Sequence, residues 1–120
     1  MRRNVIKEKS FKFAVRIVEL YKFLSERNEY VLSKQLLRSG TSVGANVRES
    51  INAQSSADFI HKLSIAQKEC DESIYWLELL YKTNFISENE FNSFFNEASE
   101  LLRILRSIIL TTKQRYNPNS

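Results

Sequence analysis

The sequence is poor in residues that interrupt secondary structure and in residues that build catalytic or metal sites. Its 120 residues include one proline, two glycines, one cysteine and one histidine. One cysteine excludes an intrachain disulfide framework and is typical of a reducing compartment. So little glycine and proline favours a few long helices over many short strands joined by turns. No run of about 18 apolar residues could cross a bilayer, and no leader-like N-terminal pattern is present. We therefore expect one cytoplasmic domain, residues 1–120.

Hydrophobic periodicity predicts four helices. Apolar residues recur at steps of three and four over residues 10–27, 34–53, 57–82 and 88–113, and residues 114–120 should form a frayed tail. Ser33 and Ser56 are the expected N-caps of the second and third helices. Ser87 and Glu90 have the spacing of a capping box at the start of the fourth. Short connections between long helices predict an all-α, up-down-up-down four-helix bundle.

Residues 35–49 resemble a loop in composition, because serine, threonine, glycine and asparagine crowd together there. Helical spacing nevertheless places four polar side chains on one face. Gly40 and Gly44 then share a second face, where missing side chains allow another backbone to approach. The phosphate-binding P-loop spacing is absent. We therefore predict one continuous helix through both glycines.

Polar residues of the second and third helices are expected to meet. Buried charges are tolerated when they are paired and hydrogen-bonded, which favours a structural polar network; an exposed functional groove is the alternative. The members of the predicted network are Arg38, Ser42, Asn46, Glu49, Lys68, Glu69 and Glu72.

The first and third helices carry more apolar surface than one small bundle can bury. Phe13, Tyr75 and Trp76 are expected to be partly exposed in a single copy. Large exposed apolar patches generally mark association surfaces, so we predict a homo-oligomer. The alternative is that these aromatic rings lie flat on the surface of a monomer.

Positive charge is concentrated near both ends of a chain whose net charge is +4. In an up-down-up-down bundle the start of the first helix and the end of the last helix lie at the same end. That end could bind phosphates with release of counterions; the alternative is a pair of solvated termini. The possible nucleic-acid contacts are Arg2, Arg3, Lys7, Lys9, Lys12, Lys113 and Arg115.

No arrangement of residues argues for catalysis, and we expect no cofactor and no metal. His61 has no histidine or cysteine partner at metal-binding spacing, and Cys70 lies on the predicted core seam. Glu69 and Glu72 could suggest a metal–carboxylate enzyme. The di-iron pattern needs Glu-x-x-His on two helices, however, and this chain lacks it.

Two segments together resemble a known family. Residues 35–49 match the pattern Q-L-x-R-S-x-x-S-V-x-A-N-x-x-E, and residues 66–79 match A-x-K-E-x-x-E-x-x-Y-W-L-x-L. These patterns resemble those of the four-helix bundle proteins encoded by intervening sequences of bacterial large-subunit ribosomal RNA genes. The likeness covers roughly residues 10–113. Leu37 departs from it where the family often has a basic residue, and Ser50 departs where glycine is common.

The resemblance implies a left-handed four-helix bundle that assembles as a ring, commonly a pentamer, with no established catalytic role for the motif residues. The fold is also similar to that of the accessory protein of diversity-generating retroelements, a basic pentamer that engages a reverse transcriptase and nucleic acid. The expected function is therefore that of a non-catalytic oligomer that binds RNA or other nucleic acid through its basic end. The alternative is a protein-interaction scaffold without nucleic-acid binding.

Overall fold

A computed structural model describes residues 2–116 of the chain, with side chains from residue 4 onward. These residues form four α-helices and no strand. The helices are α1 (Arg2–Glu26), α2 (Leu32–Ile51), α3 (Ser56–Lys82) and α4 (Glu88–Tyr116). The predicted all-α class and number of helices are confirmed.

The four helices pack into a rod of 51 × 22 × 22 Å. α2 packs along both α1 and α3, α3 also packs along α4, and α1 and α4 approach each other over the least length. Along a pair of neighbouring helices, residue numbers increase in one helix while those of the contacting residues in the next helix decrease. Examples are Ser10 with Gly44 and Ile17 with Gly40, then Ser39 with Ser73 and Glu49 with Lys62.

α1 is longer than the periodicity predicted, because it begins at Arg2 and not near Ser10. Ile6 and Ser10 are buried one turn after another ahead of Phe13, so the inward-facing stripe extends toward the N-terminus. The serine at position 10 concealed this stripe. α4 likewise continues through residues 114–116, which were expected to fray, whereas residues 117–120 lie outside the described part of the chain.

The start of α2 corrects the predicted cap. Ser33 is the second residue of the helix, and the Glu29 carboxylate supplies the cap. Its two oxygens accept hydrogen bonds from the backbone N–H groups of Leu32 at 2.8 Å and Ser33 at 2.9 Å. Asn28, with a positive φ of 67°, ends α1, and this turn places Glu29 over the free amides. Glu29 is consequently buried.

The other two helix starts were predicted more closely. The cap of α3 is Ser55 and not Ser56, since the Ser55 hydroxyl accepts from the Asp58 N–H at 3.1 Å. The capping box of α4 is confirmed. The Glu90 carboxylate accepts from the Ser87 N–H at 2.8 Å, and the Ser87 hydroxyl accepts from the Glu90 N–H at 3.1 Å.

The core lies along the axis of the rod, and apolar burial is its main stabilising contribution. The largest fully buried side chains are Phe13, Ile17, Leu24, Leu36, Val43, Val47, Leu63, Cys70, Leu77, Leu80, Leu101 and Leu105. The expected partial exposure of Phe13 is wrong, because Phe13 lies on the inward stripe of α1 between Ile6 and Ile17. Tyr75, by contrast, is 57% exposed, and Trp76 is partly buried.

Gly40 and Gly44 lie inside α2, as predicted, where α2 crosses α1. A Cβ atom on Gly40 would lie 2.9 Å from two side-chain carbons of Ile17. A Cβ atom on Gly44 would lie 3.2 Å from the backbone oxygen of Ser10. The two glycines therefore allow the close approach of α1 and α2.

Candidate functional site: polar network and basic surfaces

Arg38, Glu69 and Glu72 form the centre of the polar contacts between α2 and α3. The Arg38 guanidinium donates to Glu69 at 3.2 Å and also pairs with Glu72. The indole N–H of Trp76 donates to the same Glu72 oxygen at 3.3 Å. The Arg38 side chain is 50% exposed and that of Glu69 only 15%. The group therefore lies at the edge of the helix interface, with one side open to solvent.

The remaining members of the predicted network lie outside this group. The Ser42 hydroxyl donates to the Arg38 carbonyl at 2.6 Å, and the Asn46 amide donates to the Ser42 carbonyl at 2.9 Å. Both bonds stay within α2. Glu49 approaches Lys62 at 4.0 Å, and Lys68 is exposed. The structure thus brings three of the seven residues together across the two helices.

A buried pair of hydroxyls was missed by the sequence reasoning. The Ser73 hydroxyl lies 3.0 Å from the Ser39 hydroxyl and also donates to the Glu69 carbonyl at 2.9 Å. Both serines are fully buried. Their positions follow the core spacing, since Ser39 comes three residues after Leu36 and Ser73 three after Cys70. That spacing was the available signal, but serine does not register in an apolar count.

The predicted nucleic-acid contacts are distributed over α1 and α4. Lys7 and Lys12 on α1 and Lys113 and Arg115 on α4 are exposed, and none of them has a carboxylate partner among the described residues. Lys9 differs from these four cations, because its ammonium pairs with the Glu100 carboxylate at 3.1 Å. The side chains of Arg2 and Arg3 lie outside the described residues.

The first turns of α1 and the last turns of α4 both lie beside the end of α2. Lys7 lines an open groove together with Arg48 of α2 and with Asn52, the residue that follows this helix. Thr112 and Tyr116 of α4 line a hollow with residues 50, 51 and 53–56 and with Phe59.

A second groove, of about 530 Å³, runs between α1 and α4. Lys9, Lys12 and Arg16 line it from α1. The side chains that line it from α4 are Asn96, Glu97, Glu100 and Arg103. Arg16 was missed as a site residue, although it follows Lys12 by four positions and Lys9 by seven, the spacing of one helix face.

Arg16 is held firmly at this groove. Its guanidinium donates to Glu97 at 2.5 Å and to the Ser93 hydroxyl at 3.0 Å. The same guanidinium lies 4.1 Å from the centre of the Phe94 ring, a distance at which a cation interacts favourably with an aromatic face. Charged side chains therefore make specific contacts across the α1–α4 groove.

The nucleophilic and metal-ligating residues remain apart. Cys70 is buried, and its Sγ donates to the Ala98 carbonyl at 3.4 Å. Burial, followed by the nearby Asp71 charge, raises the pKa of Cys70 to about 12. His61 is exposed on α3. Within residues 2–116 no group of three or more histidine, cysteine, aspartate or glutamate side chains could hold a metal ion.

Comparison with known proteins establishes the family. The model of the 23S rRNA-intervening sequence protein family matches residues 2–107. The chain belongs to this family. A solved structure of a protein of unknown function, from the S23 ribosomal protein family of Bacteroides thetaiotaomicron VPI-5482, superposes with a TM-score of 0.89. That protein is 57% identical, and the match covers 91% of this chain and 98% of that one. No curated protein matches.

Membership accounts for the resemblance seen in the sequence and assigns no activity, because the similar structure is itself one of unknown function. Among the described helices, none is long and apolar enough to cross a membrane.

Proposed function

We propose that this chain is a non-catalytic helical-bundle protein that binds RNA or another nucleic acid through its basic end. One observation carries the proposal: exposed cations in α1 and α4 have no carboxylate partner among the described residues. They are Lys7, Lys12, Arg103, Arg106, Lys113 and Arg115. Cations that are free of internal partners can neutralise phosphates and release their condensed counterions.

The proposal includes an up-down-up-down, left-handed bundle acting in the cytoplasm. The contact of Lys9 with Glu100 and that of Arg16 with Glu97 support opposite directions for α1 and α4. Opposite directions bring the start of α1 and the end of α4 to one end of the rod. Exposed carboxylates at the other end include Glu26 and Glu88. Such an asymmetry would orient the protein on a polyanion.

The test is the salt dependence of binding to a short single-stranded RNA, measured by fluorescence anisotropy. We expect the parent protein to lose affinity steeply between about 50 and 200 mM salt. The triple variant Lys7→Gln, Lys113→Gln, Arg115→Gln should bind more weakly, and its logarithmic salt slope should be smaller by about 2, at roughly 0.7 per contact with a single strand.

The matched control is the triple variant Lys22→Gln, Lys34→Gln, Lys82→Gln, which removes the same charge from exposed residues of the opposite end. We expect it to retain nearly the parent affinity and slope. An affinity that is indifferent to salt, or equal losses in both triple variants, would overturn the proposal.

A second candidate function, a self-associating scaffold for protein partners, is favoured by the outer side of α1. Phe11 is 55% exposed, and Val5, Val15 and Phe23 are each about two-fifths exposed. Exposed apolar surface favours association. The ring of five copies that the family resemblance implies would give a mass five times the 14.1 kDa of one chain.

Light scattering on the purified protein tests self-association. We expect Phe11→Ser to lower the mass, whereas Tyr30→Ser, at a residue of similar exposure in the α1–α2 connection, should leave it unchanged. A parent protein with the mass of one chain would overturn the oligomer.

A further inference from the structure

The groove between α1 and α4 has a surplus of positive charge that the fold itself leaves unneutralised. Four cationic and two anionic side chains line it. Glu97 neutralises Arg16, and Glu100 neutralises Lys9. Lys12 and Arg103 are exposed and have no such partner in residues 4–116. Two positive charges therefore remain for a ligand.

Internal contacts position part of the groove lining before any ligand arrives. Arg16 contacts Glu97, Ser93 and the face of Phe94 at once, and Lys9 is held by Glu100. Pairing reduces the conformational freedom of these long side chains, so less entropy is lost when a ligand binds between them.

We propose that this groove binds the phosphate backbone of a single-stranded nucleic acid, with Lys12 and Arg103 as the phosphate contacts. This inference rests on the proposed function and locates where the strand lies. Two unpaired cations match the charge of two phosphodiester groups. Proteins that bind single strands commonly track the backbone along a positively charged groove of this kind.

Groove dimensions favour a single strand over a duplex. The whole four-helix rod is 22 Å across, so a groove between two of its helices spans only part of that width, whereas the major groove of B-DNA alone is about 12 Å wide. A duplex is therefore too wide to enter between α1 and α4 and could touch only its rim.

Binding in the groove should depend little on base sequence. None of the described residues that line the groove is aromatic, so the stacking that holds bases in many single-strand binders is lacking there. Phosphate contacts position a strand without reading its sequence.

Variants of opposite sign test the inference. Replacing both Lys12 and Arg103 by glutamine should weaken binding of a short single-stranded RNA and reduce the salt slope by about 1.4, at roughly 0.7 per phosphate contact. Glu100→Gln should instead tighten binding and steepen the slope by about 0.7, because it releases Lys9. A gain at Glu100 that exceeds the gain from removing a carboxylate elsewhere on the protein reports the release of Lys9.

The matched control for the expected loss of RNA affinity is the double variant Lys22→Gln, Lys34→Gln. The matched control for the expected gain is Glu78→Gln. All three residues are exposed and lie away from the groove. We expect these controls to behave like the parent, and we expect a duplex of the same sequence to bind more weakly than the single strand.

The outcomes separate this inference from the proposed function. Salt-dependent RNA binding that none of the groove variants alters would overturn the groove and leave the proposed function standing. Preference for the duplex would also overturn the groove. A parent protein without salt-dependent RNA binding would overturn both.

Discussion

The two sides of α1 meet their neighbouring helices in opposite ways. Toward α2, α1 lies so close to the two glycines that a Cβ atom on Gly40 would lie 2.9 Å from side-chain carbons of Ile17, and one on Gly44 would lie 3.2 Å from the backbone oxygen of Ser10. Toward α4, long charged side chains face an open groove, and the ion pairs of Lys9 with Glu100 and Arg16 with Glu97 span it. One helix therefore has a close contact with α2 at the two glycines and an open, wet contact with α4.

Side-chain size explains the difference. Glycine adds no volume at a helix crossing, so the neighbouring backbone can approach. Lysine, arginine and glutamate keep their charged ends in water, so a contact lined by them stays open to solvent. The close contact contributes stability, and the open contact leaves room for a ligand.

The largest expected effect is a difference between the labelling rates of two cysteine thiols, one buried in the core and one in the groove between α1 and α4. Cys70 lies in the α3–α4 contact, and burial raises its pKa to about 12. In the native protein a thiol reagent should label Cys70 roughly a thousandfold or more slowly than it labels the exposed cysteine of the variant Asn96→Cys. Exposing a core thiol requires an opening whose free energy approaches that of global unfolding, about 5–15 kcal/mol. Mass spectrometry measures both labelling rates. Comparable rates would mean that the α3–α4 contact around Cys70 opens locally.

The same raised pKa predicts a pH dependence. The folded-state pKa of Cys70 lies above its ordinary value of 9.0, so the unfolded state releases this proton first as the pH rises. This contribution to stability is complete below pH 9 and is lost progressively from pH 9 to about 12. Cys70→Ala should flatten that part of the stability profile in chemical denaturation.

Closing the space at the α1–α2 contact should have the next largest effect. Gly40→Ala is expected to destabilise the fold by about 1–3 kcal/mol through overpacking against the buried Ile17. This loss should outweigh the stability that alanine adds through its higher helix propensity. The reverse change Ala45→Gly, at an exposed residue of the same helix, measures that propensity effect without overpacking.

A double-mutant cycle attributes that loss to the contact itself. Ile17→Ala removes the carbons that oppose Gly40, so the double variant should be less destabilised than the sum of the two singles. Urea denaturation measures each corner of the cycle. A stabilising Gly40→Ala would contradict the close approach of the two helices.

The start of α2 offers a test of intermediate size. Glu29→Ala removes the carboxylate that accepts two backbone N–H groups and should destabilise the protein by about 0.5–2 kcal/mol, as loss of a helix cap does. Glu26→Ala, at an exposed residue of the preceding helix end, is the matched control. Equal effects in thermal denaturation would show that capping is not the role of Glu29.

The smallest effect belongs to the wet side of α1. Lys9 and Glu100 are each more than two-fifths exposed, so Lys9→Met should change stability by no more than about 1 kcal/mol. Arg16→Met should cost more, since Arg16 also contacts Ser93 and Phe94. The Lys9 effect should vanish at about 1 M salt. A salt-independent loss would indicate packing by the Lys9 stem.

Most of the helical architecture could be predicted from residue spacing. Apolar periodicity identified four helices, and the Ser87–Glu90 spacing identified a cap that the structure confirms. Errors occurred where a polar residue took a buried position. Ser10 concealed the early start of α1, and Glu29 replaced Ser33 as the cap of α2.

The polar and basic surfaces were predicted less completely. The positions of Arg38, Glu69 and Glu72 on their helices were sufficient to propose that they contact one another. In the structure Arg38 pairs with both glutamates. Arg16 and its partner Glu97 lie 81 positions apart, and no local pattern connects them. Residues on separate helices become neighbours only through packing.

Local chemistry therefore sets the four helices and the continuity of α2 through its glycines, because these depend on spacings within one turn or one stripe. Packing decides how closely each side of α1 approaches its neighbouring helix, which carboxylate caps α2, and which cations lack a carboxylate partner. Those properties depend on distances between residues far apart in the chain, and such distances exist only once the four helices have come together.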